Sequence, residues 1–349
     1  MYKWLLRWFS PLLDGPSTAE KKAVQKTAST IKSVDNIESP AGQQSPPNVS
    51  WMQREAIHAD FTDWLFENSD ADMFANQTEK NILEAMDKIL KSNQSGAKLV
   101  RRLPGVIPQL LQSLRTEDYS GAELARKISH DVVLVAAVIR IANSSFFNTS
   151  QTVNSIEHAI LVLGQEGLRQ LITNVAFKPI IDVKSGQFTK LIAPKIWDHS
   201  EKCAIACRLL ADNAQINPFE PFLAGLVQNV GLIVSLHVMD QMFDGKEPIG
   251  SQFFCNSLLV HARNLSCNIA KEWRFPPVVA KAIEEQTRGH KDADMSPIGK
   301  ILSKGDLLSK LQILIAQDRV SDSNKDFVDT LSEKDKSCIN QLNLVPPQE

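Results

Sequence analysis

Apolar residues recur along this chain with the period of a helix, and strand-like alternation is absent. Ser50-Trp51-Met52-Gln53 forms a capping box, with a hydroxyl at the cap and an amide three residues on. Ile57, Phe61, Trp64 and Leu65 then follow at helical spacing, which predicts a first helix. Asn76 with Glu79 caps a second, whose stripe is Ile82, Met86, Ile89 and Leu90. Residues 50–95 therefore read as an N-terminal helical extension. From about residue 98 the chain is a succession of helices with short connections. Ser120 and Glu123 open one that turns Leu124 and Ile128 inward. Asp131 caps the next, which buries Leu134, Val138 and Ile141 and stops at Asn143, a residue tolerant of the left-handed terminal conformation. The 156–163 segment stops at Gly164 for the same reason. Pro104, Pro194, Pro218, Pro276 and Pro297 fall at predicted helix starts. An apolar helix spans 222–232 and carries two adjacent amides, Gln228 and Asn229. Segments 296–317 and 325–343 predict two more helices, so that 318–349 is a C-terminal helix and a tail frayed at Val345-Pro346-Pro347. No internal repeat of fixed period is present. The fold class is all-α, a multi-helix bundle.

The N-terminal end is different. Residues 14–49 are rich in Ser, Ala, Lys, Gln and Pro, Pro40, Pro46 and Pro47 among them, and show no apolar periodicity. They read as a disordered linker, a flexible tether of about 30 Å. Residues 1–13 have a short apolar run broken by Ser10 and Pro11, with no small-x-small cleavage pattern after it, unlike a secretory signal. Placed on a helix, Trp4, Trp8, Leu5, Phe9 and Leu6 share one face and Lys3, Arg7 and Ser10 lie opposite. A stub that docks on its own protein or on a partner is the plainer reading. An interfacial helix touching a membrane surface through Trp4, Trp8, Lys3 and Arg7 is the other.

Composition narrows the classes further. The 349 residues are 43% hydrophobic, enough for a sizeable core. A net charge of -2 and no basic block longer than the pairs Lys21-Lys22 and Arg101-Arg102 give no sign of nucleic-acid binding. The five cysteines, Cys203, Cys207, Cys255, Cys267 and Cys338, are odd in number and lack a Cys-x-x-Cys pair, as in reduced cytosolic proteins. No run of about 18 apolar residues stands out to span a membrane. The expected location is the cytoplasm, with contact at the inner membrane face as the second reading.

Separated signatures now agree in order and spacing. Leu103-Pro104-Gly105-Val106-Ile107-Pro108 opens the set, and Ile128-Ser129-His130-Asp131 precedes Ile139-Arg140-Ile141-Ala142-Asn143-Ser144. Ile156-Glu157-His158-Ala159-Ile160 leads to Leu163-Gly164, followed by Trp197-Asp198-His199-Ser200, the Ala224-Gly225-Leu226 helix and Trp273-Arg274-Phe275-Pro276. In these motifs residues 98–317 resemble an HDOD domain, the HD-related output domain of bacterial signalling proteins. The resemblance implies an all-helical domain related to HD phosphohydrolases. It also implies a regulatory role exercised through protein partners, generally without catalysis. In the hydrolase relatives the metal ligands are a first His, a His-Asp doublet and a later Asp. By resemblance His199 holds the first position, Gln228 and Asn229 replace the doublet, and Asp306 in Lys304-Gly305-Asp306-Leu307-Leu308 holds the last. Glu285 and Gln286 stand where family members often carry a His pair. Asn143, Ser144, Gly164, Trp273 and Pro276 are family-motif positions with structural explanations: helix stops, a large anchor and a preset helix start.

The departures carry chemical weight. Two carboxamides offer weak carbonyl oxygens and no negative charge to help a metal acidify bound water. One imidazole with one carboxylate falls short of a zinc ligand set. The expectation is therefore a degenerate site with no metal, no cofactor and no catalytic residue, in which His199 is a partnered structural histidine. His199, Cys203 and Cys207 fall at i, i+4 and i+8 and so can face one way. A soft-metal site is one reading, and a core stripe with Ile196, Ala206 and Leu210 is the plainer one. Gln228 and Asn229 are expected to bond to neighbouring helices, with a bound polar small molecule as the alternative. Three functions follow: a non-catalytic signalling module acting through protein contacts, a metal-dependent phosphohydrolase with an atypical ligand set, and a peripheral membrane adaptor. The first and third are compatible.

Overall fold

The computed structural model describes residues 51–67, 72–92, 135, 138, 139, 142, 143, 152–181, 186–287 and 294–345. Among them are eleven helices and no strand, as the helical periodicity predicts. In chain order these are α1 (Trp51–Phe66), α2 (Gln77–Lys91), α3 (Ile156–Ile181), α4 (Gln187–Asn213), α5 (Phe219–Val227) and α6 (Val230–Met242). They continue with α7 (Gln252–Glu272), α8 (Pro277–Glu285), α9 (Pro297–Ala316), α10 (Asp322–Thr330) and α11 (Glu333–Leu342). Val49–Glu349 make one compact unit. The predicted amphipathic segment 1–13, the linker 14–49, the Ser50 cap, the motif at 103–108, the Ser120–Glu123 box, Asp131, Leu134, Ile141 and Ser144 lie outside the described residues.

Helix α4 is the central element. From Ile196 to Cys207 its residues are buried on nearly every side, against α5, α6, α9 and α11. Two glycines set how closely its neighbours approach. A methyl group on Gly225 of α5 would lie 2.8 Å from the Ala204 backbone, and one on Gly305 of α9 would lie 2.6 Å from Cys207 Sγ. Such spacing leaves no room for a side chain, so α5 and α9 press directly on α4 and bring their polar residues within hydrogen-bond reach of it.

Several boundaries differ from the sequence reading. Pro194 lies inside α4 rather than at a helix start. Its ring is on an exposed face, and Lys190, whose carbonyl loses its helical partner, is exposed as well, so water can serve that group. The apolar 222–232 segment is two helices, α5 and α6, which meet at Gln228-Asn229. The Phe219–Met242 stretch is long and apolar enough to cross a membrane, contrary to the expectation that none existed, yet 89% of its most apolar window is buried inside the fold. A buried core helix satisfies the same test. The single helix expected over 325–343 is divided at Leu331-Ser332, because the Ser332 hydroxyl accepts from the Asp335 N–H and starts α11.

Other expectations hold in detail. Asn76 and Glu79 form the capping box of α2. Pro276 precedes α8, and Pro297 opens α9 behind the Ser296 cap. Gly164 interrupts α3 with φ 69° and ψ 178°, a conformation natural only to glycine. Asn143 ends its helix by a different device from the one expected, since it has no positive φ. Its side chain donates to the carbonyls of Ile139 and Val153 and accepts the Val153 N–H at 2.7 Å. It thereby clamps the connection to the next segment.

The extension is part of the same body: α1 packs on α9, and α2 on α7. Glu79 does more than cap its own helix. Its fully buried carboxylate also accepts from the N–H groups of Gly250 and Ser251 at 2.7 and 2.8 Å and from the Ser251 hydroxyl at 2.7 Å. At the other end Asp60 accepts from the Ser321 N–H and hydroxyl and from Asn324, which ties α1 to the start of α10.

Candidate functional site

The four positions singled out by resemblance converge. Helix α4 supplies His199, the α5–α6 junction supplies Gln228 and Asn229, and α9 supplies Asp306. His199 Nε2 lies 3.2 Å from Asp306 Oδ1, an ion-pair distance off the axis of a well-formed hydrogen bond. Its Nδ1 accepts from Asn229 Nδ2 at 3.0 Å, and the same amide donates to Ser200 Oγ at 2.9 Å. This network places the imidazole proton on Nε2, facing Asp306. Phe61 of α1 covers the ring with centroids 4.8 Å apart. Burial lowers the His199 pKa, with Asp306 pulling the other way, and the ring is neutral at pH 7.

Gln228 also turns N–H groups inward. Its Nε2 donates to Cys203 Sγ at 3.0 Å and to Asp306 Oδ1 at 3.1 Å. Metal ligands must present lone pairs, whereas here both amides present hydrogens. The Asp306 carboxylate takes its counter-charge from within the protein. Lys310, one turn further along α9, is buried and places Nζ 2.7 Å from Asp306 Oδ2. Burial disfavours the Asp306 charge, but Lys310, His199 and His58 outweigh it and hold the carboxyl well below its ordinary range. Lys310 Nζ is also 3.1 Å from His58 Nδ1 on α1.

The residues present do not fit a metal centre. An ammonium stands against the one carboxylate oxygen that Gln228 leaves free, and a divalent cation there would meet it at close range. Among the described residues no group of three or more His, Cys, Asp and Glu side chains is gathered to hold a metal ion. Cys203 and Cys207 do face one way, with sulfurs 4.0 Å apart, but burial and its partner push the Cys203 thiol well above its ordinary pKa. A soft-metal site needs the thiolate, so the geometry suits the core stripe.

The remaining singled-out residues serve the frame. Glu285 accepts from the Ser296 N–H and hydroxyl at the start of α9, and Gln286 donates to the Ala282 and Gly299 carbonyls, which fastens α8 to α9. Trp273 ends α7 and packs edge-on against Phe275, their centroids 5.8 Å apart.

Lys310 and His58 were not found from the sequence. Lys310 had a legible signal: Asp306 and Lys310 are an i, i+4 pair of opposite charge on one helix, with apolar Leu307, Leu308 and Leu311 around them, a pattern of a paired buried charge. His58 had none, since only the tertiary fold brings α1 beside α9.

A family model described as HDOD domain matches residues 100–288. Asp306, Lys310 and His58 lie outside that span, so the site is completed by flanking helices. An HDOD domain protein of unknown function from Geobacter sulfurreducens superposes with a TM-score of 0.53 at 17% identity, covering 75% of this chain and 89% of its own. A candidate metal-dependent phosphohydrolase from Shewanella amazonensis gives 0.52 at 18% identity, covering 76% and 100%. A candidate signal transduction protein from Marinobacter aquaeolei gives 0.51 at 17% identity, covering 80% and 65%. At these identities the likeness establishes the fold alone. No curated protein matches. The family match spans more than half of the 349 residues, and the chain therefore belongs to the HDOD family.

Proposed function

We propose that this HDOD protein is a signalling module without catalytic activity, acting through contacts with other proteins. The observation that carries the reading is the Lys310 ammonium on Asp306, 2.7 Å from Oδ2, with amide N–H groups in place of the ligand doublet. A metal-bound hydroxide needs lone pairs and negative charge around the ion, and this site offers hydrogens and a positive charge. Exposed Met73, Phe74 and Phe253, on segments joined by the Phe253 N–H to Met73 carbonyl bond, support a role in contacts, as surface apolar clusters often mark them. The N-terminal Trp4, Trp8, Lys3 and Arg7 would add contact with the inner face of the membrane to a cytoplasmic protein.

The test is metal analysis of protein purified without chelator, together with hydrolysis assays on nucleotides and cyclic dinucleotides with added manganese. Substoichiometric metal and no turnover above background are expected. Stoichiometric metal with turnover lost in His199→Ala would reverse the reading in favour of an atypical phosphohydrolase. Sedimentation with anionic vesicles, compared for the whole chain and a chain lacking residues 1–13, tests the membrane contact. Equal partition of the two rules it out.

A further inference from the structure

Beside the Asp306–Lys310 pair lies a cavity of about 50 Å³ whose wall includes His58, Gln228, Asn229, Arg263, Asp306 and Lys310. One water needs roughly 10–15 Å³ of such space, so the cavity has room for a few atoms of that size. Arg263 and Asn229 are partly exposed, which connects it to solvent.

The hydrogen-bond inventory of the wall is unbalanced. Both Asp306 oxygens already accept a bond, Oδ1 from Gln228 and Oδ2 from Lys310. The amide hydrogens of Gln228 and Asn229 are spent on Cys203, Asp306, His199 and Ser200. Lys310 has used two of its three N–H donors, on Asp306 and His58. Because His58 Nδ1 accepts from that ammonium, its proton is on Nε2. Arg263 makes a single bond, a long one of 3.3 Å to the Gln286 carbonyl, and has no carboxylate partner among the described residues. With His58 neutral, the wall carries two cations, Arg263 and Lys310, and one anion, Asp306. Free donors and an excess positive charge thus meet in one small, solvent-connected space. The field has a visible effect: besides burial, Lys310, Arg263 and Arg54 all push the His58 pKa down, against Asp306 alone, and it lies well below the ordinary value.

We propose that this cavity binds a small oxyanion, a phosphate ion or a terminal phosphoryl group, held by the Arg263 guanidinium with the remaining Lys310 N–H and the His58 Nε2–H. An oxyanion would complete the wall's donors and neutralise its surplus charge. The inference goes beyond the absence of catalysis and does not depend on it, because it gives the site a ligand to sense rather than a reaction to perform.

The full chain is titrated calorimetrically at constant ionic strength with inorganic phosphate in one arm and adenosine monophosphate in the other. Saturable binding of phosphate is expected, about ten-fold or more weaker in Arg263→Gln, the loss of a charged hydrogen-bonding partner. Binding of phosphate alone assigns a free ion, and binding of both assigns a phosphoryl group on a larger ligand. No saturable binding in either arm, or equal affinity in Arg263→Gln with unchanged ellipticity, overturns the proposal. If that variant does not fold, the His58 Nε2 resonance of the unsubstituted protein replaces it: it must move with phosphate, and a static resonance overturns the proposal.

Discussion

Two of the buried carboxylates, Glu79 and Asp306, are satisfied in opposite ways. Glu79 lies where α2 meets the start of α7 and is surrounded by backbone N–H groups and a hydroxyl from Asn76, Gly250 and Ser251. Among the described residues no cation pairs with it. Asp306 lies at the convergence of α4, α9 and the α5–α6 junction, and its partners are an ammonium, an amide and an imidazole. The first arrangement is a joint whose donors are fixed by helix termini. The second draws its counter-charge from a side chain one turn along the same helix. A buried carboxylate therefore signals a metal only when its counter-charge must come from outside the chain.

Removing the internal cation should separate the two most sharply. Lys310→Met leaves Asp306 charged and unpaired in the core and should destabilise by about 3–5 kcal/mol in urea unfolding. Asp306→Leu combined with Lys310→Met should recover most of that loss, since an apolar pair of similar volume replaces the ions. At the joint, Glu79→Gln exchanges one acceptor oxygen for a donor facing the Asn76 N–H and should cost about 1–3 kcal/mol, with no comparable rescue. Gly225→Ala forces a methyl onto the Ala204 backbone and should cost about 1–3 kcal/mol by the same measurement, loosening the Asp306 region and leaving the Glu79 joint intact.

The smallest effect is on pH dependence. The pKa values of His58 and His199 are both lowered from 6.5 in the folded state, chiefly by burial. Below that pH the unfolded chain binds protons that the native state refuses. Their contribution is therefore present above pH 6.5 and lost as pH falls, by at most about 1.4 kcal/mol per unit for each histidine. Thermal unfolding between pH 8 and 5 should show the decline, and His58→Gln should flatten it. Asp306 is also depressed and works in the same sense further down, stabilising above its unfolded value of 3.8 and losing that contribution in stronger acid.

What was legible in the sequence was local or carried by resemblance. The Asn76–Glu79 box, the Gly164 break and the Pro276 and Pro297 starts each depend on a few neighbouring residues, and each holds. Resemblance placed His199, Gln228, Asn229 and Asp306, and the fold gathers them. What was missed is long-range. The bonds of Glu79 to Gly250 and Ser251 cross some 170 positions of chain, and His58 reaches Lys310 across more than 250. Pro194 was misread because a proline inside a helix is tolerated on a solvent face, and exposure is a tertiary property. The α5–α6 break was missed because Gln228 and Asn229 are held by side-chain bonds to α4 and α9, which periodicity along one helix does not register.

The most direct measurement is a crystal soaked in manganese and read by anomalous diffraction at the Asp306 site. The account predicts no anomalous peak there, with Lys310 Nζ still on Asp306 Oδ2. An ordered manganese ion bound to His199 and Asp306, with Lys310 turned away, would contradict it.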